Sequence, residues 1–311
     1  ASLPVPLPAH AREWVGAVAH DLERRRGSSI VIAGDHQPPA VHLLAHAINS
    51  RLGNVGRTVL YTDAVEALPV NQLDSLKELV RDMTAGRVEL LVILGGNPAF
   101  DAPADFAFRE ALSRVQLRVH SSLYRNETSW LCHWHVPEAH YLESWSDARA
   151  YDGTASIIQP LIAPLYEGKS AHQIAAALLG RPDASGHDLL RDCWRGRAYS
   201  LFFRTGLRMA SEEDFERFWQ SALHEGFIPG TEADLRSVAV TSDLPGALER
   251  AFNLSRPAAS DSEAGSLELV FRPDPTVWDG AFADNPWLQE LPKPLTKLAW
   301  DNAALLSPAT A

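Results

Sequence analysis

Two polar loops, Gly95–Pro98 and Asn126–Thr128, carry the residues of this sequence that are best suited to bind a ligand. The first loop follows a short apolar run that is typical of a buried strand, and the second loop follows another predicted strand. Ligands of open α/β sheets bind where such strands end, glycines let the backbone approach them closely, and amides at the start of a helix can face an anion. The same spacing is equally typical of a tight turn that binds nothing, so both interpretations stay open.

The histidines and one cysteine could supply metal ligands. Cys132, His133 and His135 lie close together, and the two histidines would share one face of a strand. Zinc sites usually combine one such pair with a second pair elsewhere in the chain. Only His42 and His46, spaced i,i+4 on a predicted helix, offer that second pair. We therefore favour ordinary hydrogen-bonded histidines and predict no metal site.

Other polar features allow a functional and a structural interpretation. Asp35 and His36 follow an apolar run and could form an acid–base pair, although polar residues there also satisfy backbone groups. Asn126-Glu127-Thr128 fits a glycosylation sequon, but it also fits a helix cap followed by the first helical turn, which we favour. The sequence has no nucleophile elbow, P-loop or GxGxxG fingerprint.

The composition is that of a globular protein with a sizeable core. The 311 residues are 46% hydrophobic and 22% charged, and a net charge of -11 argues against nucleic acid as a partner. No apolar run reaches the roughly 18 residues of a membrane span. Cys132 and Cys193 leave a disulfide open, but they are too few for an iron–sulfur cluster, which normally needs about four thiolates. Because the sequence begins at Ala1 without Met, we expect a piece of a longer protein.

Short apolar runs alternate with helical periodicity through the first half of the chain. This alternation predicts an α/β fold with a doubly wound, mainly parallel sheet. Ser211 begins a capping box for a helix with an apolar stripe at Phe215, Phe218 and Trp219, which indicates core packing. The predicted strands are Ser29–Ala33, Thr58–Tyr61, Glu89–Leu94, Val115–Val119, Leu131–Val136 and, late in the chain, Leu267–Phe271.

These elements predict four segments. Residues 1–27 form an extended segment and a helix, and residues 28–180 form a Rossmann-like α/β domain. Residues 181–283 are helical and irregular, with a returning strand that we expect to pack on the same sheet. Residues 284–311 read as a linker toward a further C-terminal domain.

The middle of the chain resembles the molybdopterin oxidoreductase family, which includes formate dehydrogenases and nitrate reductases. The third domain of those proteins carries a series of motifs that agree in order and spacing with this sequence over about seventy residues. The matching positions are Gly95-Gly96-Asn97-Pro98, Glu127-Thr128, Val136-Pro137, Glu143, Gly153-Thr154, Ile158-Gln159-Pro160 and Ser170-Ala171.

Nearly the whole chain is similar to one branch of that family, the large iron–sulfur subunit of bacterial alternative complex III, a quinol-oxidising membrane complex. The segments that carry this resemblance are HQPPAVH, LGNVG, CHWHVPEAHYLESWSDARAYDG and WLQELPKPLTKLAWDNAALLSP. The resemblance implies a domain that kept the fold of the family and lost its molybdenum cofactor. It also implies iron–sulfur clusters in a separate region, and as partners the other domains of the polypeptide, haem c subunits and membrane subunits on the periplasmic side.

The resemblance makes the two loops the remains of a pterin-dinucleotide site. It implies no catalytic residue in this chain and vestigial cofactor contacts at Gly95, Gly96, Asn97, Pro98, Asn126, Glu127 and Thr128. Ile157-Ile158-Gln159 stands where active relatives carry an arginine- or asparagine-rich segment, which favours a structural role. Two alternatives remain: a fragment of an active enzyme that binds molybdopterin guanine dinucleotide through these loops and Arg125, and a nucleotide-binding module that uses the same loops.

Overall fold

The computed structural model describes residues 9–205, 211–255, 267, 269–308 and 310. The helices are α1 (Ala9–Arg24), α2 (Pro39–Arg51), α3 (Gln72–Thr84), α4 (Pro98–Asp101), α5 (Phe108–Leu112), α6 (Glu127–Leu131), α7 (Ala171–Leu178), α8 (Gly186–Thr205), α9 (Glu212–Glu225), α10 (Leu244–Ser255) and α11 (Pro286–Glu290). The strands are β1 (Leu90–Leu94), β2 (Leu117–Ser122), β3 (Trp134–Pro137), β4 (Ser146–Arg149), β5 (Ala155–Ile158) and β6 (Phe227–Ile228). Among the described helices, none has the length and apolar content needed to cross a bilayer.

The chain divides into two compact units. The first consists of Ala1–Asp63 and Asp234–Arg272, and the second of Ala64–Ala233 and Pro273–Ala311. The four segments expected from the sequence stay a prediction about domains.

The first unit packs α2 against α10 and contains no strand among its described residues. The predicted strands Ser29–Ala33 and Thr58–Tyr61 are therefore wrong. For Ser29–Ala33 the reason lies in Asn49, whose buried side chain accepts from the Val31 amide at 2.9 Å and donates to the Val31 carbonyl at 2.7 Å. An asparagine side chain thus satisfies backbone groups that a neighbouring strand would otherwise pair. Ile32 keeps 78% of its surface exposed, which a buried strand would not allow.

The second unit contains the predicted parallel sheet, in the order β1-β2-β3. An α/β fold with a parallel sheet is thereby confirmed, with β2 displaced toward the C-terminus from the predicted Val115–Val119. The helix α3 packs on this sheet together with α5, and Asn71 caps α3 by accepting from the Leu73 and Asp74 amides. Fully or largely buried side chains fill the space between them: Met83, Phe108, Ala111, Leu112 and Val115.

The sequence predicts one short helix over Ala104–Ser113, and the structure contradicts the continuity of that helix. A short 3-10 turn over Ala104–Phe106 and the helix α5 replace it, because Ala107 adopts a left-handed conformation with φ 48° between them. That conformation is sterically unfavourable for a residue other than glycine. It ends the first turn and begins α5 in a new direction.

A second, antiparallel sheet in the same unit was not anticipated from the sequence. It has the order β4-β5-β6 and packs against α8 and α9. Ser211 caps α9 in a capping box, as predicted, and the aromatic stripe of α9 is core, as predicted. The buried cluster contains Ala155, Ile157, Leu190, Trp194, Phe215, Trp219, Ala222 and Ile228.

The C-terminal segment of the second unit is organised around a buried lysine. Lys293 Nζ donates to Asp274 Oδ2 at 2.9 Å, to the Asp301 carbonyl at 2.7 Å and to Asn302 Oδ1 at 3.0 Å. Of the predicted strand Leu267–Phe271, Glu268 lies outside the described residues, and the described residues form no strand.

Replacing Asp274 with asparagine is expected to destabilise this segment. Hydrogen bonds from Thr276, opposed by burial and reinforced by Lys293, lower the pKa of the Asp274 carboxyl to about 2. A depressed carboxyl pKa stabilises the folded state above its unfolded value and loses that contribution as the pH falls through the folded value. At pH 7 we expect Asp274→Asn to cost about 1.5–3 kcal/mol, the usual range for a hydrogen bond to a charged group.

Urea unfolding of both proteins between pH 7 and pH 2.5 checks this expectation. The difference between wild type and Asp274→Asn should narrow as the pH falls below about 4. Asp284→Asn, at an exposed carboxylate of the same segment, serves as the control and should change stability by less than about 0.5 kcal/mol. A pH-independent difference would contradict the role assigned to the Asp274 charge.

Candidate functional site

The two loops expected to form the site meet at the carboxyl ends of β1 and β2. Leu94 pairs with Ser121 in the parallel register, and the Gly95 amide continues the ladder by donating to the Ser121 carbonyl at 2.7 Å. Gly95 and Gly96 then turn with φ of 71° and 69°, a conformation that glycine adopts without strain. The turn leads into α4, while the loop after β2 leads into α6.

Asn97 joins the two loops with its side chain. Its Nδ2 donates to Glu127 Oε2 at 2.7 Å. Its Oδ1 accepts from the Thr128 amide at 3.1 Å and from the Thr128 hydroxyl at 2.8 Å. Both lone pairs of the Asn97 oxygen are therefore used within the protein. The first turn of α6 is tied to the turn after β1 by these three bonds.

Thr128 completes the connection from the opposite side. Its hydroxyl, which is fully buried, accepts from the Ala99 amide at 3.0 Å. Arg109 Nε donates to the Ala99 carbonyl at 2.6 Å, so both backbone groups of Ala99 are held by side chains. Asn126 caps α6 by accepting from the Ser129 amide at 3.2 Å, in agreement with the cap favoured from the sequence.

Glu127 brings a negative charge to this junction. The hydrogen bond from Asn97 is the main cause that holds the pKa of the Glu127 carboxyl below its usual range, and Arg109 adds a smaller contribution. The carboxyl is therefore ionised at neutral pH. An ionised carboxylate beside Asn97 disfavours a phosphate-bearing ligand at the same point.

A buried histidine lies directly under the turn. His120 on β2 bonds through Nε2 to the Gly96 carbonyl at 3.1 Å and through Nδ1 to Ser129 Oγ at 2.8 Å. His135 on β3 reaches the same Ser129 oxygen through its Nδ1 at 3.1 Å. From the sequence, His135 was expected to be an ordinary hydrogen-bonded histidine, and neither His120 nor Ser129 was singled out. The run of three polar residues that ends the strand, residues 120–122, was the signal that could have found them.

The other candidates do not assemble into a site. His133 pairs with Arg118, Cys132 is a free thiol whose pKa is raised by burial, and Cys193 is free and exposed. In the first unit, His46 bonds to the Tyr61 hydroxyl at 2.8 Å. Within the described part of the chain, no group of three or more histidine, cysteine, aspartate or glutamate side chains is arranged to hold a metal ion.

The loops fit a pterin dinucleotide only in part. A Cβ added at Gly95 would meet no atom within 4 Å, and one at Gly96 would meet only Pro98 Cδ, at 3.8 Å, so space beside the turn is open. The side chains fit less well, because Asn97 and Thr128 are bonded to each other and Glu127 is anionic. α4 and α6 are also too short, at 4 and 5 residues, to add a substantial helix dipole.

Comparison with known proteins gives one relative of note. No family model matches the chain. In an alignment 193 residues long that covers 56% of this chain, the chain is 26% identical to the menaquinone reductase, molybdopterin-binding-like subunit of Nitratidesulfovibrio vulgaris (strain Hildenborough). The aligned region is 26% of that relative, so the chain spans about a quarter of the relative's length.

Among solved structures, acetylene hydratase from Pelobacter acetylenicus overlaps 34% of this chain and 16% of its own, with 18% identity and a TM-score of 0.30. That overlap is too small to carry an argument about fold. The similarity to the menaquinone reductase subunit supports the relationship with the molybdopterin oxidoreductase family that the motifs predicted.

Proposed function

We propose that this chain is a molybdopterin-oxidoreductase-like domain in a subunit of a respiratory, quinol-oxidising membrane complex, and that it serves there as a structural domain without its own molybdenum cofactor. The subunit is of the alternative complex III type, and the domain has the doubly wound architecture of its family. Its partners are the other domains of the same polypeptide together with haem c and membrane subunits, on the periplasmic side. The iron–sulfur clusters lie in a separate region of the full-length protein.

The observation that carries the structural role is the bonding of the two loops to each other. In an active site, the side chains Asn97, Glu127 and Thr128 would have to offer free polar groups to the cofactor. Here the Asn97 side-chain oxygen accepts from Thr128, and one of its side-chain N–H groups donates to Glu127. Replacing these contacts with ligand contacts would leave the buried Thr128 hydroxyl without its acceptor, at a cost of about 1–3 kcal/mol.

The respiratory role is supported by the relative. Its name assigns it to a menaquinone reductase and describes it as molybdopterin-binding-like. A domain of the same ancestry would keep its loops because they hold β1, β2 and their helices together, whether or not a cofactor binds. The net charge of -11 is compatible with docking onto protein partners and does not identify one.

An active fragment that binds molybdopterin guanine dinucleotide is the alternative, and the open space beside Gly95 and Gly96 favours it. A backbone without Cβ atoms could lie against the dinucleotide there. In that case the chain's residues would bind and orient the ligand through backbone groups of the turn, and the bound group would supply the oxygen- or electron-transfer chemistry.

The experiment is a cofactor assay on the full-length protein purified in its complex. Bound pterin is released and oxidised, its fluorescence is measured, and molybdenum and tungsten are measured by mass spectrometry. We expect both to be far below one equivalent per chain. Pterin together with metal at near-stoichiometric amounts would overturn the structural role and establish the active fragment. The full-length protein is required because an isolated domain could lose a pterin during purification.

A titration with guanine nucleotides tests the remaining alternative, a nucleotide-binding module. We expect no saturable heat of binding by calorimetry. Saturable binding that Asn97→Ala abolishes and His172→Gln preserves would favour the module, since His172 bonds to Ser146 away from the loops.

A further inference from the structure

Three side chains form a continuous hydrogen-bonded chain beneath the candidate site. His135 Nδ1 lies 3.1 Å from Ser129 Oγ, and Ser129 Oγ lies 2.8 Å from His120 Nδ1. His120 Nε2 ends the chain at the Gly96 carbonyl, 3.1 Å away. These hydrogen bonds therefore link β3, α6, β2 and the turn after β1. His120 is fully buried and Ser129 nearly so.

The Gly96 carbonyl at one end of this hydrogen-bonded chain determines where the protons of the chain lie. A carbonyl oxygen only accepts, so His120 Nε2 must carry a hydrogen. A neutral His120 then has a bare Nδ1, which accepts from the Ser129 hydroxyl. The single Ser129 proton is used in that bond, so His135 Nδ1 must donate to Ser129 Oγ. All bonds run in one direction, from His135 to Gly96, and bonds aligned in this way strengthen one another.

We propose that His120, Ser129 and His135 form an acid-sensitive clasp, which holds the Gly95–Pro98 turn to α6 while both histidines are neutral and loosens when they are protonated. A proton on His120 Nδ1 would turn that atom into a donor facing Ser129. The Ser129 hydroxyl would then have to turn to Asn126 Oδ1 at 3.3 Å or the Tyr124 carbonyl at 3.4 Å. Those contacts are longer, and Asn126 Oδ1 already caps α6.

The surroundings disfavour positive charge on either ring. The two rings lie 6.2 Å apart, so a charge on one opposes a charge on the other. The Glu127 carboxylate, which could offset the charge, is bonded to Asn97. Charged and titratable groups come from each element around His120: His135 on β3 and His133 just before it, Arg118 on β2, Arg125 before α6, and Glu127 in the first turn of α6.

The direction of the pH effect follows from these causes. Burial lowers the pKa of His120 against the smaller opposing effect of the Gly96 and Gly95 backbone, and His135 lowers it further. Burial and Arg125 lower the pKa of His135. A lowered histidine pKa stabilises the folded state fully above the unfolded value of about 6.5 and loses that contribution as the pH falls through it to the folded value. The clasp is thus closed at neutral pH and weakened by acid, independently of any cofactor.

The first test needs no mutation. With 15N-labelled histidine in the 311-residue chain, long-range 1H–15N spectra at pH 7.5 report the tautomer of each ring. We expect His120 as the Nε2–H form and His135 as the Nδ1–H form. An Nδ1–H tautomer of His120, or a charged His120 at this pH, would overturn the proposal.

The second test measures opening of the clasp. Amide hydrogen exchange at Ala99, Thr128 and Ser129, corrected for the intrinsic pH dependence of exchange, should show protection falling on the order of tenfold for each unit by which folding lowers a histidine pKa. Protection at Val92 and Val119, in the middle of the sheet, should stay constant over the same range.

His120→Gln should remove most of the pH dependence, and His172→Gln, which removes another histidine of the same unit, should leave it unchanged. Equal pH dependence in His120→Gln and wild type would refute the clasp. If His120→Gln does not fold, His135→Gln is expected to halve the effect or more, and an unchanged effect there would refute the clasp as well.

Discussion

Replacement of Trp194 with alanine is expected to destabilise the second unit by about 3–5 kcal/mol, the range for removing a large aromatic side chain from a core. Trp194 lies on α8 with 1% of its surface exposed, within the cluster that includes Phe215 and Trp219. Its indole Nε1 donates to Asp147 Oδ2 at 3.0 Å, which ties α8 to β4. The substitution therefore opens a cavity and also removes the donor from a carboxylate.

Urea unfolding followed by circular dichroism measures this effect. Trp287→Ala is the matched control, because Trp287 is 84% exposed, and its loss should change the unfolding free energy by less than about 0.5 kcal/mol. Trp194→Phe separates the two contributions, since phenylalanine keeps most of the volume and removes the hydrogen bond to Asp147. Equal effects of Trp194→Ala and Trp287→Ala would contradict the packing described for α8.

Replacement of Asn97 with alanine is expected to cost about 2–3 kcal/mol, because it removes three hydrogen bonds worth about 1 kcal/mol each. The bonds to Glu127 and Thr128 join the turn after β1 to α6, and the Thr128 hydroxyl loses its acceptor inside the protein. Urea unfolding gives the magnitude, and the exposed Asn253→Ala serves as the control. An effect within about 0.5 kcal/mol of that control would show that the loops are not held together by Asn97.

A charge exchange across the same pair sharpens this prediction. Asn97→Asp places a carboxylate against Glu127, so it should destabilise the protein at pH 7 at least as much as Asn97→Ala. Adding Glu127→Gln supplies an amide that can donate to the new carboxylate and should restore most of the loss. Failure of the double variant to recover stability would mean that Asn97 and Glu127 do not interact directly. This cycle tests the interlocking on which the structural role rests.

The local sequence predicted the elements whose signals lie within a few residues. β1 is an uninterrupted apolar run, and Ser211 caps α9 as its spacing to Asp214 predicted. The aromatic stripe of α9 faces the core because helical periodicity alone places Phe215 and Trp219 on one side. These predictions needed no knowledge of distant residues.

Two of the failures depend on partners far away in the chain. Ser29–Ala33 has the composition of a buried strand, but a strand exists only where another strand pairs with it, and the Asn49 side chain takes that place. The antiparallel sheet joins β5 to β6, which lie far apart in sequence, so no local pattern announced it. Ala107 interrupts a helix through a left-handed backbone conformation, which the residue type alanine does not predict.

The candidate site likewise has one property that the sequence predicted and one that it did not. Its loops could be placed together from the sequence, because parallel strands bring the segments that follow them to one edge of a sheet. Their chemistry could not, since it depends on which polar groups are already occupied. By itself the sequence determined the parallel α/β sheet, its helix caps and the adjacency of Gly95–Pro98 and Asn126–Thr128. Only the tertiary structure decided that Asn97 bonds to Glu127 and Thr128 and that Ser129 joins His120 to His135, because hydrogen bonds over such separations are set by side-chain distances that local composition does not encode.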